Sequence, residues 1–177
     1  MVKKIAIFFA YLSFFMLALI YFAPKVSAYY LLETNLKSFD VIVGSENLND
    51  NGFSLDINNA KVFVKSIESA EIENINIKLL ALYNSINISG VVLSSTAKSF
   101  IPLKIQSANI THHIFNPLNI NADVIGEFGE AEIVVNLLDR TLHLKLTPSS
   151  LMSKRFRNTL RNFKKSENGE LIYDKTF

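Results

Sequence analysis

Hydrophobic and polar positions change their period three times along the chain. From Ile5 to Ala23, 19 residues run without a charge, with Tyr11, Ser13 and Tyr21 as the polar exceptions. At about 1.5 Å per residue a helix of that length reaches roughly 28 Å, close to the hydrocarbon core of a bilayer at about 30 Å. "YYLLETNLKSF" then reads as a short helix or as chain settling onto a domain. Beyond it the period is two. In "GFSLDIN", Phe53, Leu55 and Ile57 alternate with Ser54, Asp56 and Asn58, as in a strand with one buried face. Ile75, Ile77 and Leu79 oppose Asn74, Asn76 and Lys78, and "SINISGVVL" alternates up to Gly90, where a bend or bulge is expected.

The second half repeats this pattern. Ile101, Leu103 and Ile105 oppose Pro102, Lys104 and Gln106, the proline marking an edge or the start of a strand. Leu118, Ile120, Ala122 and Val124 share a face. "EAEIVVNLLDRTLHLKL" reads as a hairpin, with Ile133 and Val135 in one arm and Leu142, Leu144 and Leu146 in the other, turning near Leu138-Asp139-Arg140. From Ser150 to Lys165 the period becomes helical: Met152, Phe156, Leu160 and Phe163 form one stripe, predicted to lie as a lid on an end of the sheet. Lys154, Arg155, Arg157, Arg161, Lys164 and Lys165 cover the rest of that helix. An Asn-Gly turn at Asn168-Gly169 and a final strand carrying Leu171 and Tyr173 close the pattern.

These elements predict a mainly β fold: an elongated antiparallel sheet after one N-terminal transmembrane helix, with a short basic helix near the C-terminus. Two forms of the sheet fit equally, one bent so that its apolar face makes a groove, the other a closed sandwich or small barrel. In either, the apolar face comprises Phe53, Leu55, Ile57, Ile75, Ile77, Ile133, Val135, Leu142 and Leu144. The many asparagines fall at turns or on polar strand faces. Asparagine is a poor strand former, so they read as compositional drift or, alternatively, as a hydrated face.

The apolar N-terminus is an anchor or a cleaved signal. Its length exceeds the usual 7–15-residue core of a signal peptide, whereas Val26-Ser27-Ala28 offers small residues at a cleavage position. Retention is the reading adopted, giving an anchor over 1–28 and one β-rich domain over 29–177. Lys3 and Lys4 keep the N-terminus cytoplasmic, and Tyr21, Tyr29 and Tyr30 fall at the far interface. The domain then lies outside the cytoplasm.

Charge narrows the partners. Residues 29–149 hold 8 Lys or Arg against 13 Asp or Glu, a balance of −5, while residues 150–165 hold six basic residues and no acid. An acidic body with one local basic segment is unlike a nucleic-acid binder. It fits a domain near a membrane whose Lys154, Arg157, Arg161 and Lys164 meet lipid head groups or an acidic partner. The chain has no cysteine, which excludes thiol chemistry and thiolate metal sites.

No catalytic or metal residue and no cofactor is expected. His112 and His113 are adjacent, so on a strand their rings point to opposite faces. The carboxylate pairs Glu71/Glu73 and Glu130/Glu132 read as solvated strand faces. The chain carries no nucleophile elbow, phosphate loop or dinucleotide fingerprint.

An anchor ending in "APKVSAYYLLE" passes at once to "VIVGSENLNDNGFSLDINNAKVFV" and through short strands to "SGVVL". This layout, over roughly residues 5–93, resembles the type II secretion system N-protein family and, more distantly, the AsmA-like proteins of the Gram-negative envelope. The chain has no tryptophan where secretion N-proteins carry a Trp-Gly-type step; Gly44 and Gly52 occupy that region. The resemblance implies a single-pass inner-membrane protein with a periplasmic domain, accompanying secretion or envelope-assembly proteins as a non-enzymatic component. Its second arm implies an alternative, a groove that holds phospholipid acyl chains.

Overall fold

The computed structural model describes residues 2–80, 82–166 and 170–177. The Asn168-Gly169 turn lies outside these residues. Helix α1 (Val2–Tyr21) is apolar on every side from Ile5 onward, and none of its spanning window is buried. Pro24 ends the first helical run, and α2 (Lys25–Lys37) starts directly after it. The expected domain boundary at residue 28 therefore falls inside a helix. Lys25 is 1% exposed, and Val26 packs against the core.

Strands β1 (Val41–Gly44), β2 (Asn47–Asp50), β3 (Leu55–Val64), β4 (Ile67–Leu79), β5 (Tyr83–Leu93), β6 (Lys104–His113), β7 (Asn119–Gly126), β8 (Gly129–Asn136) and β9 (Thr141–Pro148) follow. After β9 come helices α3 (Ser150–Arg155) and α4 (Arg157–Leu160), then β10 (Lys164–Lys165) and β11 (Leu171–Thr176). All pairings are antiparallel, in the order β1-β3-β4-β5-β6-β7-β8-β9-β11-β10, with β2 also on β3. The order is linear and its two ends do not meet, so the sheet is open.

The structure revises several expectations from patterning. Phe53 lies in the bend before β3 and is half exposed, because the Asn51–Ser54 turn takes it off the strand: Asn51 Oδ1 accepts from the Phe53 and Ser54 backbone N–H groups. Ile101, Pro102 and Leu103 precede β6 rather than belonging to it. The single helix expected over 150–165 is broken at Phe156 (φ −116°, ψ 34°), and Lys164 belongs to a strand. Its apolar stripe is nevertheless kept together against the sheet.

Gly90 has φ +64°, and Asn59, on β3, has φ 56°. Past these left-handed residues the positions on the apolar face change parity, from Leu55 and Ile57 to Ala60 and from Ile86 and Ile88 to Val91. Each kink thus keeps its strand's apolar side chains on one face.

Two clusters carry the core. At one end α2 lays Tyr29 on Leu55, Ile57, Ala60 and Ile77. At the other, Met152 covers Phe128, Ala131 and Leu146, with Phe156, Leu160 and Phe163 packed around it. Ser149 starts α3: its Oγ accepts from the Met152 backbone N–H at 3.1 Å and donates to the Glu127 carbonyl at 2.6 Å.

Candidate functional site: an apolar trough

Directly paired residues in an antiparallel sheet share a face, so register converts alternation into rows. One row runs Leu55, Ile77, Ile86, Ile110, Ala122, Ile133, Leu144 and Tyr173 across eight strands. Beside it run Leu48, Ile57, Ile75, Ile88, Ala108, Val124, Ala131, Leu146 and Leu171. Val135 and Leu142 pair in a third row with Ile120. Of the apolar face expected from sequence, all but Phe53 lie in these rows.

Helices cover the two ends and leave the middle open. Leu55 and Ile57 under α2 are fully buried, as is Met152 over the far end. Between them Ile86, Ile88, Ala108, Ile110, Ala122 and Ile133 are only half-buried. The first row is roughly 34 Å long at about 4.8 Å per strand, and its open stretch from Ile86 to Ile133 takes about 14 Å of that. One leaflet of hydrocarbon is about 15 Å thick, so the open floor is close to the length of one lipid tail.

Where the open floor meets α2 there is a cavity of about 220 Å³. Tyr29 and Leu32 wall it on the helix side, and Ile77, Ile86, Ile110 and Ile120 on the sheet side. Lys25 closes the corner between the helices. Its Nζ donates to the carbonyls of Tyr21 (3.3 Å) and Ala23 (3.2 Å) and stands 3.8 Å from Asp50. Tyr29 donates to Glu46 Oε1 at 3.3 Å. Burial pushes the Tyr29 phenol well above its ordinary pKa, and the charges of Glu46 and Glu33 add to that.

The opposite face is polar in the same register. Asn49, Asp56, Asn76, Asn87, Asn109, Asp123, Glu132 and Lys145 form one continuous row. Asn76 Nδ2 donates to Asp56 Oδ1 at 2.5 Å, and Asn74 Nδ2 to Asn58 Oδ1 at 2.9 Å. The asparagines are thus a cross-strand ladder, and the preference for compositional drift is replaced by the hydrated-face reading. No single strand signals this, because it is the pairing that aligns them.

The remaining candidates are dispersed. Glu71 pairs with Lys61 at 2.9 Å, and the hydrogen bond from Lys61 holds its carboxyl below the usual range. Glu132 and Glu170 flank Lys145, whose pKa both raise, Glu170 the more strongly. His112 Nε2 meets the Pro117 carbonyl at 3.1 Å, His113 packs at a tilt against Tyr83, and His143 pairs with Asp174. Among the described residues no group of three or more His, Asp or Glu converges as a metal site. Lys154, Arg157, Arg161 and Lys164 are all exposed. No family model, curated protein or solved structure matches the chain.

Proposed function

We propose that the protein is a membrane-anchored lipid-holding module that seats acyl chains in the open trough. The observation that carries this reading is the unbroken apolar row from Leu55 to Tyr173, covered at both ends and only half-buried in its middle. A face made only for folding would be closed by a second layer, since a contiguous exposed apolar surface is costly in water. An apolar trough with few polar groups suits a flexible hydrocarbon tail.

Retention of α1 as an anchor is part of the same proposal. Cutting after Ala28 would sever α2 and remove buried Lys25 and Val26 from the packed domain. Placement in an inner membrane with the domain in the periplasm rests on the lysines in the first turn of α1 and on the resemblance described above.

The test uses alternation. A photoreactive amino acid at Ile110 or Ile133 in the full chain should give adducts of phospholipid mass in cells. The same probe at Asn109 or Glu132, one residue away on the polar face, should not. Lipid adducts absent from Ile110 and Ile133, or equal on both faces, would remove the proposal.

A second reading, docking of a secretion or envelope-assembly protein, is favoured by one feature. Among the described residues β10 pairs only with Leu171 and Ile172, leaving the outer edge of β11 from Tyr173 to Thr176 open to a partner strand. Crosslinkers placed at Tyr173 and Lys175 should then recover membrane-machinery proteins rather than abundant bystanders.

A further inference from the structure

The strands of the sheet end at two opposite margins, and these differ in chemistry. One margin holds the turn before β3 and the β4–β5, β6–β7 and β8–β9 loops. Its tips carry Leu82, Ile114, Phe115, Leu118, Leu137 and Leu138, all exposed, with Phe115 at 88%. Asp139 and Arg140 are the charged residues in these loops among the described residues, and Asp50, Lys78 and Lys175 stand at the strand ends behind them. The other margin also exposes Phe39, Ile67 and Phe100, but interleaved with Lys65, Glu68, Lys98 and Glu127. The basic segment lies at that second margin, where Thr159 Oγ1 donates to the Phe100 carbonyl.

The anchor meets the domain at the first margin. The Tyr21 ring, at the last residue of α1, packs edge-on to Phe53 with centroids 5.4 Å apart. A Cβ on Gly52 would strike that same tyrosine ring. Tyr21, Phe53 and the three apolar loops therefore share one edge of the sheet. Directly behind the tips come Tyr83, packed at a tilt against His113, and His112, an order from apolar to amphipathic that matches the step from hydrocarbon to head group. The cavity beside α2 is lined by Leu79, Asn84, His112 and Ile120, which sit at or near the ends of their strands on this same margin.

We infer that this margin is a membrane-docking rim: the three hairpin tips insert into the leaflet from which α1 emerges. The sheet then stands on the bilayer along one edge. Its cavity opens at the lipid surface, and the basic segment faces away from the anchoring membrane. This inference rests on α1 spanning a membrane but not on occupancy of the trough. The occupant is the bilayer because the rim is continuous with the anchor's own exit point.

The chain's lack of cysteine makes the test direct. Single variants Leu82→Cys, Phe115→Cys and Leu138→Cys at the rim, Lys98→Cys and Asn158→Cys at the opposite margin, and Phe14→Cys in α1 are labelled with an environment-sensitive fluorophore. Each full-length protein is reconstituted in phosphatidylcholine vesicles with and without brominated acyl chains. The rim labels should be blue-shifted and lose most of their emission to brominated lipid, as should the label at Phe14. The labels at Lys98 and Asn158 should instead be quenched by aqueous iodide. Quenching by lipid at Phe14 with none at the three rim sites overturns the rim and leaves the anchor standing. No lipid quenching even at Phe14 removes both. Lipid quenching at Asn158 with iodide quenching at the three rim sites overturns the rim by reversing the orientation.

Discussion

At Tyr29, burial and two neighbouring carboxylates act in one direction on a single hydroxyl. All three favour the neutral phenol in the folded state. Below the ordinary tyrosine value of about 10, folded and unfolded chains are both protonated and the group adds no pH dependence. Above it the unfolded chain loses the proton first, so stability should fall as pH rises toward the folded-state value. Alkaline absorbance titration should show one of the six tyrosines ionising late, and Tyr29→Phe should abolish that late step. Glycine offers a second residue-scale contrast. A Cβ on Gly90 (φ +64°) would meet the Glu73 side chain down to its Cβ at 2.6 Å, so the facing strand must shift, whereas one on Gly129 (φ +119°) would meet the backbone of Thr147, Pro148 and Ser149 directly. Gly90→Ala should cost at least the about 1–2 kcal/mol of left-handed backbone. Gly129→Ala should cost more, as read by denaturant unfolding.

Among elements, the strands were legible where one face is wet and the other dry. Leu55/Ile57, Ile75/Ile77, Ile133/Val135 and Leu142/Leu144 fall on the apolar face because alternation over several residues admits only one buried side. The short strands β1 and β2 were not legible, since "VIVG" and "NLND" are four residues each and too short to set a period. The basic segment keeps its apolar stripe on the sheet but not as one helix. Met152, Phe156, Leu160 and Phe163 suit an uninterrupted stripe, yet α3 stops at Phe156, so packing on the sheet overrides local propensity there. Stability should follow contact: Met152→Ala, at a fully buried site, should cost about 2–5 kcal/mol. Phe156 is half buried, so Phe156→Ala should fall below the about 3–5 kcal/mol of an enclosed phenylalanine. Ser149→Ala should cost about 0.5–2 kcal/mol through loss of the α3 cap. Charge reversal at Arg157 and Arg161 should change the melting temperature little, because both are exposed.

For the whole molecule, the choice between a closed core and an open face was beyond the sequence, because both give period two. Register decides it here, by leaving the order of strands linear. The proposed retention of α1 has a consequence at this scale: full-length protein should resist carbonate and high salt and be released only by detergent. A soluble product beginning at Tyr29 should be poorly folded, having lost the start of α2. The meander from β3 to β9 has another consequence. Every strand there pairs with its successor in sequence, so contacts are local and the sheet can grow in the order of synthesis, without waiting for distant chain. The same connectivity makes its length a modular quantity. Excising β6 and β7 together would bring β5 beside β8 in the correct direction, with Ile86 facing Ile133, and shorten the sheet by about 10 Å. Duplicating such a hairpin would lengthen it equally. Evolution could set the reach of this protein in steps of two strands, with no change in topology at either end.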